Sequence, residues 1–490
     1  MNFKTNKIRS EHEIKRKDTV EKIKKSTTTF LRAHIAAILI IGVLVFGTYK
    51  GCSALATAIG NAPTISIKNI ILSFVSSSLQ EDEAGYTNFL LLGIGGGEHD
   101  GAELTDSIII ASLDLENNLI PMLSIPRDLY IEYEEGYGDR INRYYELSKL
   151  EYEEAGYQEA EAQKLALEDT SIKIGGIIGI DIQYYALIDF SGFTEIVDAI
   201  GGIDVYLESS FYDDQYPLDE TGLYTTFALP TGENHLDGED ALKYARSRKT
   251  TSDFDRALRQ QQILNAIKEK TLSMGVLTSP SKIKDLLDAI SSNFMTNLTL
   301  SEMAYLGEIA DDFSEDSMLS RVFNDAPYSV GGFLYVPPQD LYGGSAVLVP
   351  NSEDFSELAT FSEFFLHNPS MYTNPTPLQI VNGVKYEGLA TNTLYYLDRY
   401  GFDVVRYGNA PEIGQATTTI YNLAGENLTN TDTLEYLQKL IPMAKVTDII
   451  PEKYQSQNWE TEASIIIELG EDFIPFYEEN YSKNFYYWPQ

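Results

Sequence analysis

The sequence predicts an α/β fold: an α/β/α sandwich around a central mixed sheet, a small α/β domain after it, and a single N-terminal transmembrane helix before it. Three observations carry that expectation. Apolar runs without strict alternation read as strands buried on both faces, as in a sheet covered by helices. Strands and helices intermix along the chain instead of segregating into blocks. A basic N-terminus is followed by an uncharged apolar stretch and then by a strongly acidic remainder.

The N-terminal elements follow from charge. Residues 1–34 carry ten Lys/Arg against four acids, so +6, and the other 456 residues carry 26 Lys/Arg against 69 acids, so −43. Between them lies His34-Ile-Ala-Ala-Ile-Leu-Ile-Ile-Gly-Val-Leu-Val-Phe-Gly-Thr-Tyr49. Extended by its neighbours, it is long enough to cross a bilayer. Residues 34–58 are therefore expected to be a signal anchor, with 1–33 a cytoplasmic tail, 59–85 a stalk and the rest of the chain extracellular. A cleaved signal peptide is the alternative, with Ala54-Leu55-Ala56 as its cleavage site, although the basic region is long for one. Lys50 stands where a lipobox before Cys52 needs a small residue. Cys52 is the only cysteine, which excludes an intramolecular disulfide framework and any Cys-based zinc site. Five histidines, three of them before residue 100, speak against a His-rich metal site and leave oxygen-ligated metals open. A domain at −43 is a poor partner for nucleic acid.

The sandwich is expected over 86–366, with a core at 86–275 and an extension at 276–366. Phe89-Leu-Leu-Leu-Gly93, Ser107-Ile-Ile-Ile-Ala-Ser-Leu113 and Leu119-Ile-Pro-Met-Leu-Ser-Ile125 read as strands, and 144–168 as a polar helix. Tyr185-Ala-Leu-Ile-Asp-Phe190 is a further strand, followed by a helix capped by Ser191 and stopped by Gly201-Gly202. Ile203-Asp-Val-Tyr-Leu207 returns to strand, and 236–245 and 253–271 are helices. A helical stretch is expected over 281–313, then strands and turns over 319–350. Prolines and asparagines mark 367–377 as a linker. The second α/β unit, 378–490, has strands at 378–383, 403–406, 417–420 and 465–469 and helices at 389–400 and 431–440.

The chemistry concentrates in Arg246-Ser-Arg-Lys-Thr-Thr-Ser-Asp-Phe-Asp-Arg-Ala-Leu-Arg-Gln-Gln-Gln262, four arginines and a lysine against an overall charge of −37. The surrounding field repels anions, so such a cluster suits local recognition of a compact polyanion; a solvated helix with alternating charges is the competing reading. Asp253, Arg256 and Gln260 share one helical face, and Arg246 and Arg248 approach it from the N-terminal side. Arg127 and Arg140 stand where strand ends meet loops, the usual place for ligands in α/β sheets. Asp106, at the mouth of a strand beside Gly95-Gly-Gly97, suits Mg²⁺, and equally suits a strand-capping role. The glycine run is not a P-loop, because no Gly-Lys-Ser/Thr follows it.

An ordered set of segments resembles the LytR-CpsA-Psr family of cell-wall glycopolymer transferases. It comprises Phe89-Leu-Leu-Leu-Gly93, Leu104-Thr-Asp-Ser-Ile108, Leu123-Ser-Ile-Pro-Arg-Asp128, Arg140-Ile-Asn142 and Asp189-Phe-Ser-Gly-Phe193. It continues through Asp198-Ala-Ile-Gly-Gly-Ile-Asp-Val205, Leu236-Asp-Gly-Glu-Asp-Ala-Leu-Lys-Tyr-Ala-Arg-Ser-Arg248 and Asp253-Phe-Asp-Arg-Ala-Leu-Arg-Gln-Gln-Gln262. The segment 376–470 resembles the small C-terminal domain of some members. The resemblance implies transfer of a glycan from an undecaprenyl-pyrophosphate carrier to peptidoglycan at a cell membrane, with Mg²⁺ or Mn²⁺ on the pyrophosphate. It implies that Arg127, Arg246, Arg248, Arg256 and Gln260 hold the pyrophosphate and that Asp106 ligands the metal. Asp253 and Arg256 take the catalytic positions, Asp253 holding the arginine network or taking the acceptor's proton. Arg140, Asn142 and Arg259 are further candidates. The chain departs from the family pattern at Leu104, where an arginine is usual, and at Gly95, where a carboxylate is usual; Glu98 or Asp100 stands near enough in sequence to supply one. Two other functions stay open: a non-catalytic glycan-binding surface protein of the same fold, and a polyprenyl-pyrophosphate phosphohydrolase.

Overall fold

The computed structural model describes residues 78–97, 101–134, 136–218, 223–247, 293–299, 317–352, 354–428, 431–455 and 461–480, with single positions between 259 and 313 and at 459. The expected tail and anchor, most of the stalk, and Glu98, Asp100, Arg248, Asp253, Arg256 and Gln260 lie outside the described residues. No helix among the described residues is long and apolar enough to cross a membrane.

A six-stranded mixed sheet organises the first unit, in the order β11 (Phe294–Thr296), β6 (Tyr184–Asp189), β1 (Thr87–Ile94), β2 (Thr105–Leu113), β3 (Ile120–Ser124) and β12 (Met318–Val322). Its centre is β1 (Thr87–Ile94), antiparallel to β2 (Thr105–Leu113) and parallel to β6 (Tyr184–Asp189). Outward from β2 come β3 (Ile120–Ser124), antiparallel to it, and β12 (Met318–Val322), parallel to β3. Both faces of the sheet are buried, as the unalternating apolar runs require. One face sends Leu90, Leu92, Ile110 and Leu123 against the helix Glu159–Ile178, and the other sends Phe89, Leu91, Ala111 and Met122 against Leu298 and Leu306.

The expected 144–168 helix is two helices, α1 (Tyr144–Glu154) and α2 (Glu159–Ile178). Gly156, at φ +95°, separates them in a conformation that costs glycine little. The helix after β6, α3 (Phe190–Ala199), is capped by Asp189, not Ser191: the Asp189 carboxylate accepts from the Gly192 amide at 2.7 Å. Helical periodicity over 281–313 conceals β11 (Phe294–Thr296), which pairs antiparallel with β6 at the sheet edge. Two hairpin-like pairs, β4 (Tyr130–Glu134) with β5 (Tyr137–Arg140) and β8 (Phe211–Leu218) with β9 (Leu223–Leu229), lie outside the main sheet. So does the pair of β7 (Ile203–Leu207) and β10 (Gly232–Leu236), which leads into α4 (Gly238–Arg246).

The second unit is a five-stranded sheet, β16-β15-β19-β17-β18, built from β15 (Leu378–Asn382), β16 (Val404–Asn409), β17 (Thr419–Asn422), β18 (Lys445–Thr447) and β19 (Ile465–Leu469). The 367–377 segment leading into it is packed: it holds a one-turn helix and the buried Met371, and Pro377 accepts from the Ser464 amide at 2.8 Å. One apolar cluster runs from Leu90 and Ile110 through α5 (Ser356–His367) to Ile380, Leu437 and Ile465, so the two sheets share a core. Within it Phe333 meets Phe361 and Tyr400 at ring distances of 5.3 and 4.9 Å. The Arg399 guanidinium, 2% exposed, donates to the Gly332 carbonyl and to Glu357.

Candidate functional site

Strand direction decides where the polar residues gather. β1, β3 and β6 run the same way and β2 runs against them, so three strand ends and one strand start meet at one edge. In order across that edge stand Asp189 and Phe190 after β6, the Ile94–Gly96 loop after β1, Thr105 and Asp106 on β2, and Arg127 beyond β3. Gly96 lies directly over Asp189. A Cβ there would come within 2.9 Å of the aspartate side chain, so the loop descends onto the helix cap only because that residue is glycine.

Arg127 reaches back across β3 to Asp106, Nη1 to Oδ1 at 2.7 Å, and its Nε lies 3.6 Å from Asp128. Arg140 at the end of β5 stands 3.4 Å from the other Asp128 oxygen and 3.9 Å from Asp139, which pairs with Arg143 at 2.7 Å. The result is a chain of alternating charges along the rim, each side chain of the Arg127, Asp106 and Asp128 group roughly a quarter to two-fifths exposed. Asn142 is buried beneath it. Its backbone amide donates to the Arg127 carbonyl, its backbone carbonyl accepts from the Thr105 hydroxyl, and its Oδ1 has no hydrogen-bond partner among the described residues.

Arg246 enters from the far side, as the last residue of α4. Its Cζ lies 4.4 Å above the Phe190 ring and 6.0 Å from Tyr216, whose hydroxyl is 3.4 Å from Nη1. Arg259 does something different. It is 5% exposed, its Cζ stacks 5.0 Å from Phe211, and it donates to the carbonyls of Tyr244 and Ser247. Those carbonyls belong to the open C-terminal end of α4, where a cation complements the helix dipole. Arg259 is thus an anchor for the end of the helix that carries Arg246. Nearby, desolvation pushes the Tyr244 hydroxyl up to about 12, which leaves it protonated and hydrogen-bonded to Gln262.

Of the residues singled out from sequence, the structure gathers Asp106, Arg127, Arg140 and Asn142 on one side of the edge and Arg246 on the other. Sequence reasoning missed Asp128, Asp189, Phe190 and Tyr216. The first three lie within quoted segments, at or a few residues beyond the ends of β3 and β6, which is the signal that marked Arg127. Tyr216 sits in a hairpin for which the sequence offered no assignment.

A metal at this edge has limited support from the protein. Among the described residues no group of three or more His, Cys, Asp or Glu side chains converges on a point. Asp106 offers a partly exposed carboxylate whose Oδ1 already meets Arg127. One carboxylate suits a Mg²⁺ that is bound mainly by phosphate oxygens and water, and it does not suit a protein cage.

Comparison with known proteins agrees with the segments quoted above. A protein of Bacillus subtilis strain 168, "Polyisoprenyl-teichoic acid--peptidoglycan teichoic acid transferase TagV", is 32% identical over 240 residues, 49% of this chain and 54% of that protein. The chain thus spans about half the length of that relative. "Cell wall biosynthesis protein LcpA" of Corynebacterium glutamicum is 23% identical over 413 residues, 79% of this chain and 77% of its own length. The crystal structure of B. subtilis TagV covers 57% of this chain and 97% of its own, at 26% identity and a TM-score of 0.40. The model described as "LytR cell envelope-related transcriptional attenuator" matches residues 376–473. The model of the LytR_cpsA_psr family matches residues 53–341, more than half of the chain, and the chain belongs to the LytR-CpsA-Psr family.

Proposed function

We propose that this chain is a phosphotransferase of cell-wall assembly that moves a glycopolymer from an undecaprenyl-pyrophosphate carrier to peptidoglycan. The observation that carries the reading is the sheet edge where Arg127 and Arg246 approach from opposite sides. Two strand spacings, about 10 Å, separate the strands from which Phe190 and Asp106 extend, and long arginine side chains close such a gap around a pyrophosphate. The names of the relatives, polyisoprenyl-teichoic acid–peptidoglycan teichoic acid transferases, support the same reaction class.

In the step proposed, an acceptor hydroxyl attacks the phosphorus that bears the glycan. The new oxygen–phosphorus bond forms as the bridging P–O bond breaks, and polyprenyl phosphate leaves with the electron pair. The acceptor's proton would pass to Asp253, while Arg248 and Arg256 would add to the positive charge of Arg246 and Gln260 would offer an amide donor. Guanidinium groups stabilise the charge that spreads over the phosphoryl oxygens and the leaving phosphate. Asp106 would hold Mg²⁺, or Mn²⁺ in its place, against the pyrophosphate, where the ion would neutralise leaving-group charge. Residues 34–58 would anchor the chain in the membrane that carries the lipid substrate, with residues 1–33 in the cytoplasm.

The test uses the full chain in detergent with a polyprenyl-pyrophosphate-linked saccharide, peptidoglycan fragments and Mg²⁺, read by mass spectrometry. Saccharide joined to peptidoglycan through one phosphate is the expected product. Polyprenyl phosphate released without such a product means a phosphohydrolase. Retention of the lipid with no turnover means a binding protein.

A further inference from the structure

We propose that Phe190 and Tyr216 are positioning residues that hold the Arg246 guanidinium edge-on to the incoming phosphate; this rests on the pyrophosphate reading above. Asp189 caps α3, which fixes the backbone of Phe190, the first residue of that helix, at the end of β6. The Arg246 Cζ stands over the Phe190 ring, 4.4 Å from its centre. Tyr216 is 5% exposed, its ring centre lies 6.0 Å from the Arg246 Cζ, and its hydroxyl accepts from Nη1 at 3.4 Å. It is itself packed against Phe227, at 6.5 Å between ring centroids. The β8–β9 hairpin therefore serves as a wall that presses an aromatic side chain toward the arginine.

The geometry has a chemical consequence. A guanidinium stacks through its faces and donates hydrogen bonds only in its plane. The Phe190 ring contacts a face and the Tyr216 hydroxyl takes one in-plane donor, so together they orient the plane while the other donors point to oxygen ligands. The rings bring no negative charge, so this way of holding an arginine adds no competitor for phosphate in a chain of charge −37. Arg259 completes the arrangement by securing the end of α4, so that the backbone of Arg246 is fixed as well as its head.

The test measures binding of inorganic pyrophosphate by calorimetry in the full-length protein, with thermal unfolding as the control for folding. Phe190→Leu keeps an apolar contact and removes the ring, and is expected to weaken binding roughly 3- to 30-fold, the range of a cation–π contact. Phe190→Tyr restores a ring and should bind within about twofold of the parent. In an Arg246→Ala background, Phe190→Leu should have no further effect. An unchanged affinity in Phe190→Leu overturns the proposal, as does an equal loss with and without Arg246, which marks a structural role. If Phe190→Leu unfolds early, Tyr216→Leu, which removes the second ring, is judged by the same criteria. A parent protein that binds no pyrophosphate overturns the pyrophosphate reading itself, and a failure in Phe190→Leu alone leaves that reading standing.

Discussion

At the open edge of the first sheet, Arg127 meets Asp106 at 2.7 Å with the two side chains 27% and 40% exposed. At the junction with the second sheet, Arg399 meets Glu357 at 3.1 Å with 2% and 10% exposed. The partners are chemically the same and their surroundings are opposite. A pair in contact with water gains about 0–1 kcal/mol from its own attraction, so either member changes partner at small cost. A pair sealed among Phe333, Tyr396 and Tyr400 does not, because whichever charge is left behind has no water to turn to. Exposure makes the first pair suitable for chemistry and the second suitable for holding two sheets together.

The strongest challenge to that contrast is at the junction. Arg399→Ala should destabilise the protein by about 3–5 kcal/mol by leaving Glu357 buried without its partner. Urea unfolding would measure it. A loss under about 1 kcal/mol would put the two pairs in the same class. The matching substitution at the edge, Arg127→Ala, should leave the unfolding midpoint nearly unchanged and weaken pyrophosphate binding roughly 10- to 100-fold, the worth of charged hydrogen bonds. Calorimetry on that variant checks both halves of the statement.

The junction should also respond to acid. His367 closes α5 with its ring stacked on Tyr86 at 4.5 Å and a ring nitrogen 3.0 Å from Asp82. Burial holds its pKa below the usual 6.5, outweighing the pull of Asp82 and Glu363. The folded protein then binds the proton less well than the unfolded chain, so stability is greatest above pH 6.5 and falls as the pH drops from there toward the lower folded value. Thermal midpoints between pH 7.5 and 5.5 should decline, and His367→Phe, which keeps the stacking, should flatten the decline. An identical slope in that variant would assign the pH response elsewhere. The smallest effect concerns the helix that carries Arg246. Asp237 caps α4 by accepting from the Asp240 amide at 2.9 Å, and Asp237→Ala should cost about 1 kcal/mol in urea unfolding.

How far each region could be read from sequence follows the same division. The strands that form the edge are continuous apolar runs, and a run such as Phe89-Leu-Leu-Leu names its own burial. Arg127 and Asp106 could be placed at strand ends, but their meeting depends on the β2–β3 register, with Ile109 opposite Ser124, which no local signal encodes. The β8–β9 hairpin escaped notice because Phe211-Tyr-Asp-Asp-Gln-Tyr216 crosses a bulge that breaks the alternation of faces. β11 was hidden because a strand of three residues is fixed by its pairing with β6, not by its own propensity. The junction was the least legible. Asn374-Pro-Thr-Pro377 has the composition of a linker, and only tertiary packing places Met371 and Thr376 in the interior.

The central claim is that the arginine-lined edge of the first sheet is where a glycan phosphate changes partner. The direct test is the rate of transfer from polyprenyl-pyrophosphate-linked saccharide to peptidoglycan by the full chain and by its Arg127→Ala/Arg246→Ala double variant, both shown to be folded by their thermal midpoints. Transfer by the parent and a loss of at least about 100-fold in the variant are expected. Transfer by the double variant within about twofold of the parent would contradict the claim.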